Sequence, residues 1–174
     1  MPNWCSNILT VKTENLDQIR ELIHRIDNEQ NLIDFFIPMP LELEDTTAPT
    51  QEPNQALLEK YGVDNWYDWQ LANWGCKWGD CDTTYVYDKE HTPNTITFNF
   101  STPWGPSVPL YNAMREAGFN GVMYWYEPGM MFCGCVDNGV FSEYDIDESN
   151  NDCAKYNEID ETFGIHEMLS EFNE

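Results

Sequence analysis

Between residues 95 and 101 the side chains alternate without exception: Ile96, Phe98 and Phe100 interleave with Thr97, Asn99 and Ser101. Successive strand residues point to opposite faces, so this run requires a sheet that is apolar on one side and polar on the other. Residues 5–12 follow nearly the same rule. Cys5, Leu9 and Val11 fall on one face and Ser6, Thr10 and Lys12 on the other, with Ile8 as the exception. A one-sided sheet must be covered by helices. Residues 16–28 supply one, with Asn15 as its N-cap and a stripe of Leu16, Ile19, Leu22, Ile23 and Ile26. His24 lies off that stripe and reads as a solvated residue. Residues 107–117 supply another, begun by Ser107, stopped by Gly118 and facing inward through Leu110, Tyr111 and Met114.

The other segments fall around this frame. Residues 33–37 are a short apolar run ended by Pro38 and Pro40, read as a short strand or loop. Residues 41–55 mix acids, threonines and prolines without period and read as an exposed loop. A helix over 64–71 follows, with a helical turn at 56–60. Residues 83–87 pair with 95–101, residues 121–126 return as a strand, and 130–136 with 139–143 form a hairpin about Asp137-Asn138-Gly139. Ile165, Met168, Leu169 and Phe172 make a terminal amphipathic helix that docks on its own sheet or on a partner. The order predicts an α+β fold, a ferredoxin-like α/β sandwich: an antiparallel sheet with helices on one face, an insertion at about 41–80 and an acidic C-terminal extension. Residues 1–144 form the domain, and 145–174 form the extension packed on it.

Residues 73–81, Asn-Trp-Gly-Cys-Lys-Trp-Gly-Asp-Cys, hold more apolar surface than a solvated loop carries. Pro2-Asn3-Trp4-Cys5 and Thr102-Pro103-Trp104-Gly105-Pro106 echo them. Two readings stay open. Asn3, Trp4, Asn73, Trp74, Lys77, Trp78 and Trp104 line one aromatic pocket that stacks a base or holds a small ligand. Alternatively, the tryptophans lock loops onto the sheet edge and the polar side chains bond loop carbonyls. Cys76-x4-Cys81 and Cys133-x-Cys135 offer four thiolates for zinc, or a disulfide, but neither has the C-x2-C spacing, and buried free thiols are the plainer reading. Pro2, if exposed as a free amine, and Glu127 beside an aspartate are the enzymatic alternatives. The three histidines lack ligand spacing, and no phosphate-loop, dinucleotide or nucleophile-elbow fingerprint occurs, so no cofactor is predicted.

Charge limits the partner. The chain has 31 acidic residues against 8 basic, a net charge of −23. Eight cations cannot line a phosphate groove, and the surrounding field repels nucleic acid and anionic membranes. No apolar run reaches 18 residues, and the N-terminus has no basic region followed by an apolar one. A cytoplasmic protein with reduced thiols is the expectation. Residues 137–174 hold 12 acids and one lysine.

Met1-Pro2-Asn3-Trp4-Cys5-Ser6-Asn7, Pro38-x-Pro40-x-Glu42, Asn73-Trp74-Gly75-x-Lys77-Trp78, Phe100-x-Thr102-x-Trp104-x-Pro106 and Tyr126-x-x-x-Gly129 together resemble the YubB-like ferredoxin-fold family of phages, prophages and conjugative plasmids. The resemblance runs to about residue 136, and Cys76 stands where that family has threonine. It implies a ferredoxin-like fold and a mobile-element origin, and brings no catalytic residues. With the charge, it predicts a non-enzymatic protein that imitates nucleic acid and occupies a basic host protein, nucleic-acid-binding or defence-related. Asp145, Asp147, Glu148, Asp152, Glu158, Asp160 and Glu161 are the expected contact carboxylates. The alternative is a small-ligand binder, for example of a nucleotide, using the tryptophan pocket.

Overall fold

The computed structural model describes residues 2–147 and 153–171. The order is β1 (Trp4–Lys12), α1 (Leu16–Asp27), α2 (Leu32–Phe36), α3 (Leu41–Glu44), α4 (Gln55–Tyr61), α5 (Trp66–Trp74), β2 (Cys81–Val86), β3 (Thr95–Pro103), α6 (Val108–Glu116), β4 (Asn120–Glu127), β5 (Phe132–Asp137), β6 (Val140–Asp145), α7 (Ala154–Phe163) and α8 (Ile165–Glu171). The strands form one antiparallel sheet in the order β2-β3-β1-β4-β5-β6. In its centre Leu9 stands opposite Phe98 on one side and Met123 on the other. All three are fully buried, each worth roughly 1.5–3 kcal/mol of transfer free energy. The fold is thus α+β, as the alternation demands.

One face of the sheet carries the larger core. Leu9, Val11, Ile96, Phe98, Met123 and Trp125 meet Ile19 and Leu22 of α1, Leu32 and Ile33 of α2, Trp69 and Trp74 of α5, and Leu110 and Met114 of α6. Leu16, placed in the α1 stripe by its spacing, is instead exposed at the helix start. The segment expected as a strand or loop at 33–37 is helix α2. Its N-terminal amides find a carboxylate that comes from far along the chain. Asp80 accepts from the Leu32 N–H at 2.9 Å and from the Ile33 N–H at 2.8 Å. No local pattern reveals such a cap. The stretch expected as an exposed loop also differs. It contains α3, whose Leu43 is fully buried in the core, and a cis Ala48–Pro49 bond. The expected turn at 56–60 is the full helix α4, and α5 runs on to Trp74, ending at Gly75 with φ 74°. The insertion is therefore an integral wall of the core.

Helices do not cover one face alone. Tyr126, Cys133 and Cys135 project from the opposite face, and α7 and α8 close over them with Tyr156, Ile159 and Ile165. The expected terminal helix is α8, which begins just after Gly164 at φ 65°, with Phe172 of its expected stripe outside the described residues; α7 before it was not expected. The two helices cover the β4–β5 half of that face. The β1–β3–β2 half retains the polar row of Ser6, Thr10, Thr97, Asn99, Ser101 and Thr84. Cys76 lies in the first core and Cys133 with Cys135 in the second, so the sheet separates Cys76 from that pair and a four-thiolate zinc site is overturned. Among the described residues no cluster of three or more metal-ligating side chains occurs, and none of the helices is long and apolar enough to cross a membrane.

Candidate functional site

The three tryptophan motifs do converge, through some of the expected residues. Trp4 begins β1, Trp78 follows α5, and Trp104 follows β3. Their rings form a row. Trp4 and Trp78 lie 6.2 Å apart at 34°, and Trp78 and Trp104 lie 6.4 Å apart at 24°, stacked. The row stays open to solvent, with exposures of 38%, 38% and 52%. Lys77 joins it, its ammonium 4.5 Å from the Trp78 ring centre and 5.6 Å from that of Tyr67.

The remaining expected members serve as scaffold. Trp74 is buried at 3%, edge-on to Trp69, and its indole N–H donates to the Ile37 carbonyl at 2.8 Å. Asn73 donates to the Trp69 carbonyl within its own helix. Asn3 acts through its backbone: its carbonyl accepts the Trp104 N–H at 2.8 Å. Beneath the row, Asn7 donates to the Thr102 hydroxyl at 2.8 Å, and that hydroxyl donates to the Gly105 carbonyl at 2.7 Å. Ser107 donates to the Trp74 carbonyl at 2.6 Å rather than capping its own helix. Glu127, fully buried, accepts the N–H groups of Gly129 and Met130, which makes it the anchor of a turn.

Trp104 has φ 66°. The left-handed region is unfavourable for a bulky residue, costing of the order of 1–3 kcal/mol. The Asn3 carbonyl and the Thr102–Gly105 bond hold it there, and the ring it presents is more than half exposed. This backbone strain is therefore not offset by burial of the ring.

Beside the row lies a cleft of about 640 Å³, lined by Pro49, Pro53, Leu58, Asp64, Trp66, Tyr67, Asp68, Lys77 and Trp104 among others. Its far wall is the start of α5. There Asn65 caps the helix by accepting the Asp68 N–H at 2.9 Å, and its amide donates to the Asp68 carboxylate at 2.8 Å. The Trp66 N–H is satisfied by Thr46. Asp64 accepts the Thr50 hydroxyl at 2.8 Å and the Asn54 N–H at 3.0 Å, which fixes the proline loop against α5. The Thr50 hydroxyl, then the Asn54 amide, hold the Asp64 carboxyl below its ordinary range. This wall was missed from the sequence. The signal was Trp66-Tyr67-Asp68-Trp69: neighbouring helical residues point in different directions, so three aromatics in four positions cannot all enter one core.

The expected contact carboxylates are dispersed in role. Glu148 and Asp152 lie outside the described residues. Glu158 accepts the Tyr124 hydroxyl and pairs with Lys155 at 2.7 Å; the Lys155 contact, then the Tyr124 hydroxyl, lower its pKa. Asp160 accepts the His166 N–H at 2.8 Å and sits 2.9 Å from its ring nitrogen. These two hold the extension together. Asp145, Asp147 and Glu161 are exposed. Exposed acids also stand on α1, α3 and α4, such as Asp17, Glu42 and Glu59, so the negative surface is not confined to 137–174.

No family model matches the chain, and no curated protein matches it. Among solved structures the chain is similar to the crystal structure of protein api92 from Yersinia pseudotuberculosis, described under the family DUF1281, at 13% identity and a TM-score of 0.46, over 84% of this chain and 99% of that one.

Proposed function

We propose that this chain is a non-enzymatic binding protein that occupies a basic, nucleic-acid-handling surface of a host protein, with the tryptophan row and its cleft at the centre of contact. The carrying observation is the open row Trp4, Trp78 and Trp104 beside a cleft whose lining includes Asp64 and Asp68 on a protein of net charge −23. Surface carboxylates offer a partner what phosphates offer, and they speed encounter. Exposed tryptophans in a well-packed frame are the residues that carry binding energy once desolvated. The fold reading that goes with this is ferredoxin-like: strands β2-β3-β1-β4 with α1 and α6 on one face support it. The resemblance to the YubB-like family supports a mobile-element origin and a cytoplasmic setting. The test is capture from host lysate by the wild type and by Trp78→Ala/Trp104→Ala, with duplex DNA as competitor. Capture that DNA displaces and the variant loses supports the reading. Equal capture by the variant, or none at all, refutes it.

A second reading, a small-ligand binder, is favoured by the cleft itself, whose volume falls in the range of ligand sites. Lys77 is the cleft's cation, and Arg115 sits elsewhere, against Gly139. A multiply charged anion is therefore poorly matched. A thermal shift with nucleosides that Trp104→Ala abolishes would favour this reading.

A further inference from the structure

The partner's chemistry can be narrowed, granting the proposed recognition site. We infer that the cleft receives an arginine side chain from a basic segment of the partner. Three observations converge on a planar cation.

The ring set already holds a cation. Lys77 lies over both Trp78 and Tyr67, so these faces are presented in an orientation that attracts positive charge. Trp104, stacked on Trp78 within 24° and 52% exposed, adds a further open ring at the cleft. The cleft's own charges then favour the newcomer. Asp64 and Asp68 outnumber Lys77 along its lining. Asp64 is committed to Thr50 and Asn54. Asp68 is exposed and gives one carboxylate oxygen to Asn65, leaving the other outside that bond.

Guanidinium fits this pair better than ammonium does. It is planar, so it stacks flat on an indole, and its fork of donors suits a carboxylate. An ammonium is a strongly hydrated point charge that gains less from a flat ring. The combination of a stacking face with an anionic oxygen is what an arginine meets in a nucleic acid, between a base and a phosphate. The cleft offers both from protein side chains, which gives the proposed imitation a defined centre.

The test uses the intact protein and two synthetic probes, an arginine octapeptide and a lysine octapeptide, titrated at one ionic strength and followed by tryptophan fluorescence and calorimetry. The arginine peptide is expected to bind at least tenfold tighter than the lysine peptide. Asp68→Asn and Trp104→Ala should each weaken it about fivefold or more. Trp104→Gly serves as a second ring deletion that suits the positive φ, and circular dichroism checks the fold. Equal binding of both peptides with no effect of these variants would reduce the interaction to general charge attraction and overturn the arginine assignment. Failure of both peptides, while a nucleoside binds at the cleft, would overturn it in favour of the second reading. If DNA-displaceable capture from lysate persists without arginine preference, the arginine assignment alone falls. If capture is also absent, the proposed function falls with it.

Discussion

Asp80 tests whether one buried carboxylate holds the site's frame. It is 5% exposed and accepts three bonds: the Leu32 N–H at 2.9 Å, the Ile33 N–H at 2.8 Å and the Thr83 hydroxyl at 2.5 Å. Its neighbour Gly79 lies so close to α2 that a Cβ there would come within 2.6 Å of Ile33 Cγ2. The Trp78 carbonyl accepts the Asn31 amide at 3.2 Å just before α2. The junction therefore fixes both α2 and the lysine–tryptophan pair. Asp80→Ala strands two buried N–H groups, each costing about 1–3 kcal/mol when unsatisfied. Partial relaxation of the short helix offsets some of this, so a loss of about 3–4 kcal/mol is expected. For a chain of this size that corresponds to a fall in Tm of roughly 6–16 °C. Asp80→Asn keeps one acceptor and should lose about half as much, while Thr83→Ala should lose about 1 kcal/mol or less. Urea unfolding of the four proteins measures these differences directly. A loss below 1 kcal/mol for Asp80→Ala, or equal losses for Ala and Asn, would refute the claim that these bonds hold α2.

Gly134→Ala should destabilise by about 2–3 kcal/mol, because its Cβ would stand 2.4 Å from the Trp125 ring and 2.5 Å from the Ser142 carbonyl oxygen; a neutral urea midpoint would contradict that packing. Thiol labelling should begin at Cys153, whose pKa is lowered by the Tyr144 hydroxyl and by amides at the start of α7, whereas burial pushes Cys76 and Cys133 up to about 12. Mass spectrometry after limiting maleimide reads the order, and Tyr144→Phe should slow Cys153 severalfold. The Asp64 carboxyl should titrate below its ordinary 3.8 in a carbon-detected pH series. Its folded-state pKa is depressed, so its contribution is fully present above 3.8 and disappears as pH falls through the lower folded value. Asp64→Asn should accordingly flatten the acid limb of the stability curve, and a titration at or above 3.8 would reverse that sign.

The sheet was legible because its signal is local. Strict alternation at 95–101 and the Asp-Asn-Gly turn, with Asn138 at φ 50° and Gly139 at φ 79°, each decide a conformation within a few residues. Helix α2 was not legible, since its cap arrives from Asp80. The second helical layer was only half legible: the apolar spacing at 165–169 was visible, but α7 and the sheet half it covers depend on Tyr126, Cys133 and Cys135 standing on the far face. For the site, the convergence of Trp4, Trp78 and Trp104 was readable as shared motif chemistry. Trp74 shares that chemistry and went to the core, because α5 runs on to it and turns its ring under Ile37. The proline loop and Asp68 complete the cleft through contacts made across long separations, which no spacing rule encodes.

Trp104 stands on backbone geometry that glycine would adopt at almost no cost. A change to glycine or asparagine there relaxes the chain. A large indole at such an address is carried against the backbone's own conformational preference. In a laboratory selection for stability alone, this is the tryptophan expected to be replaced first.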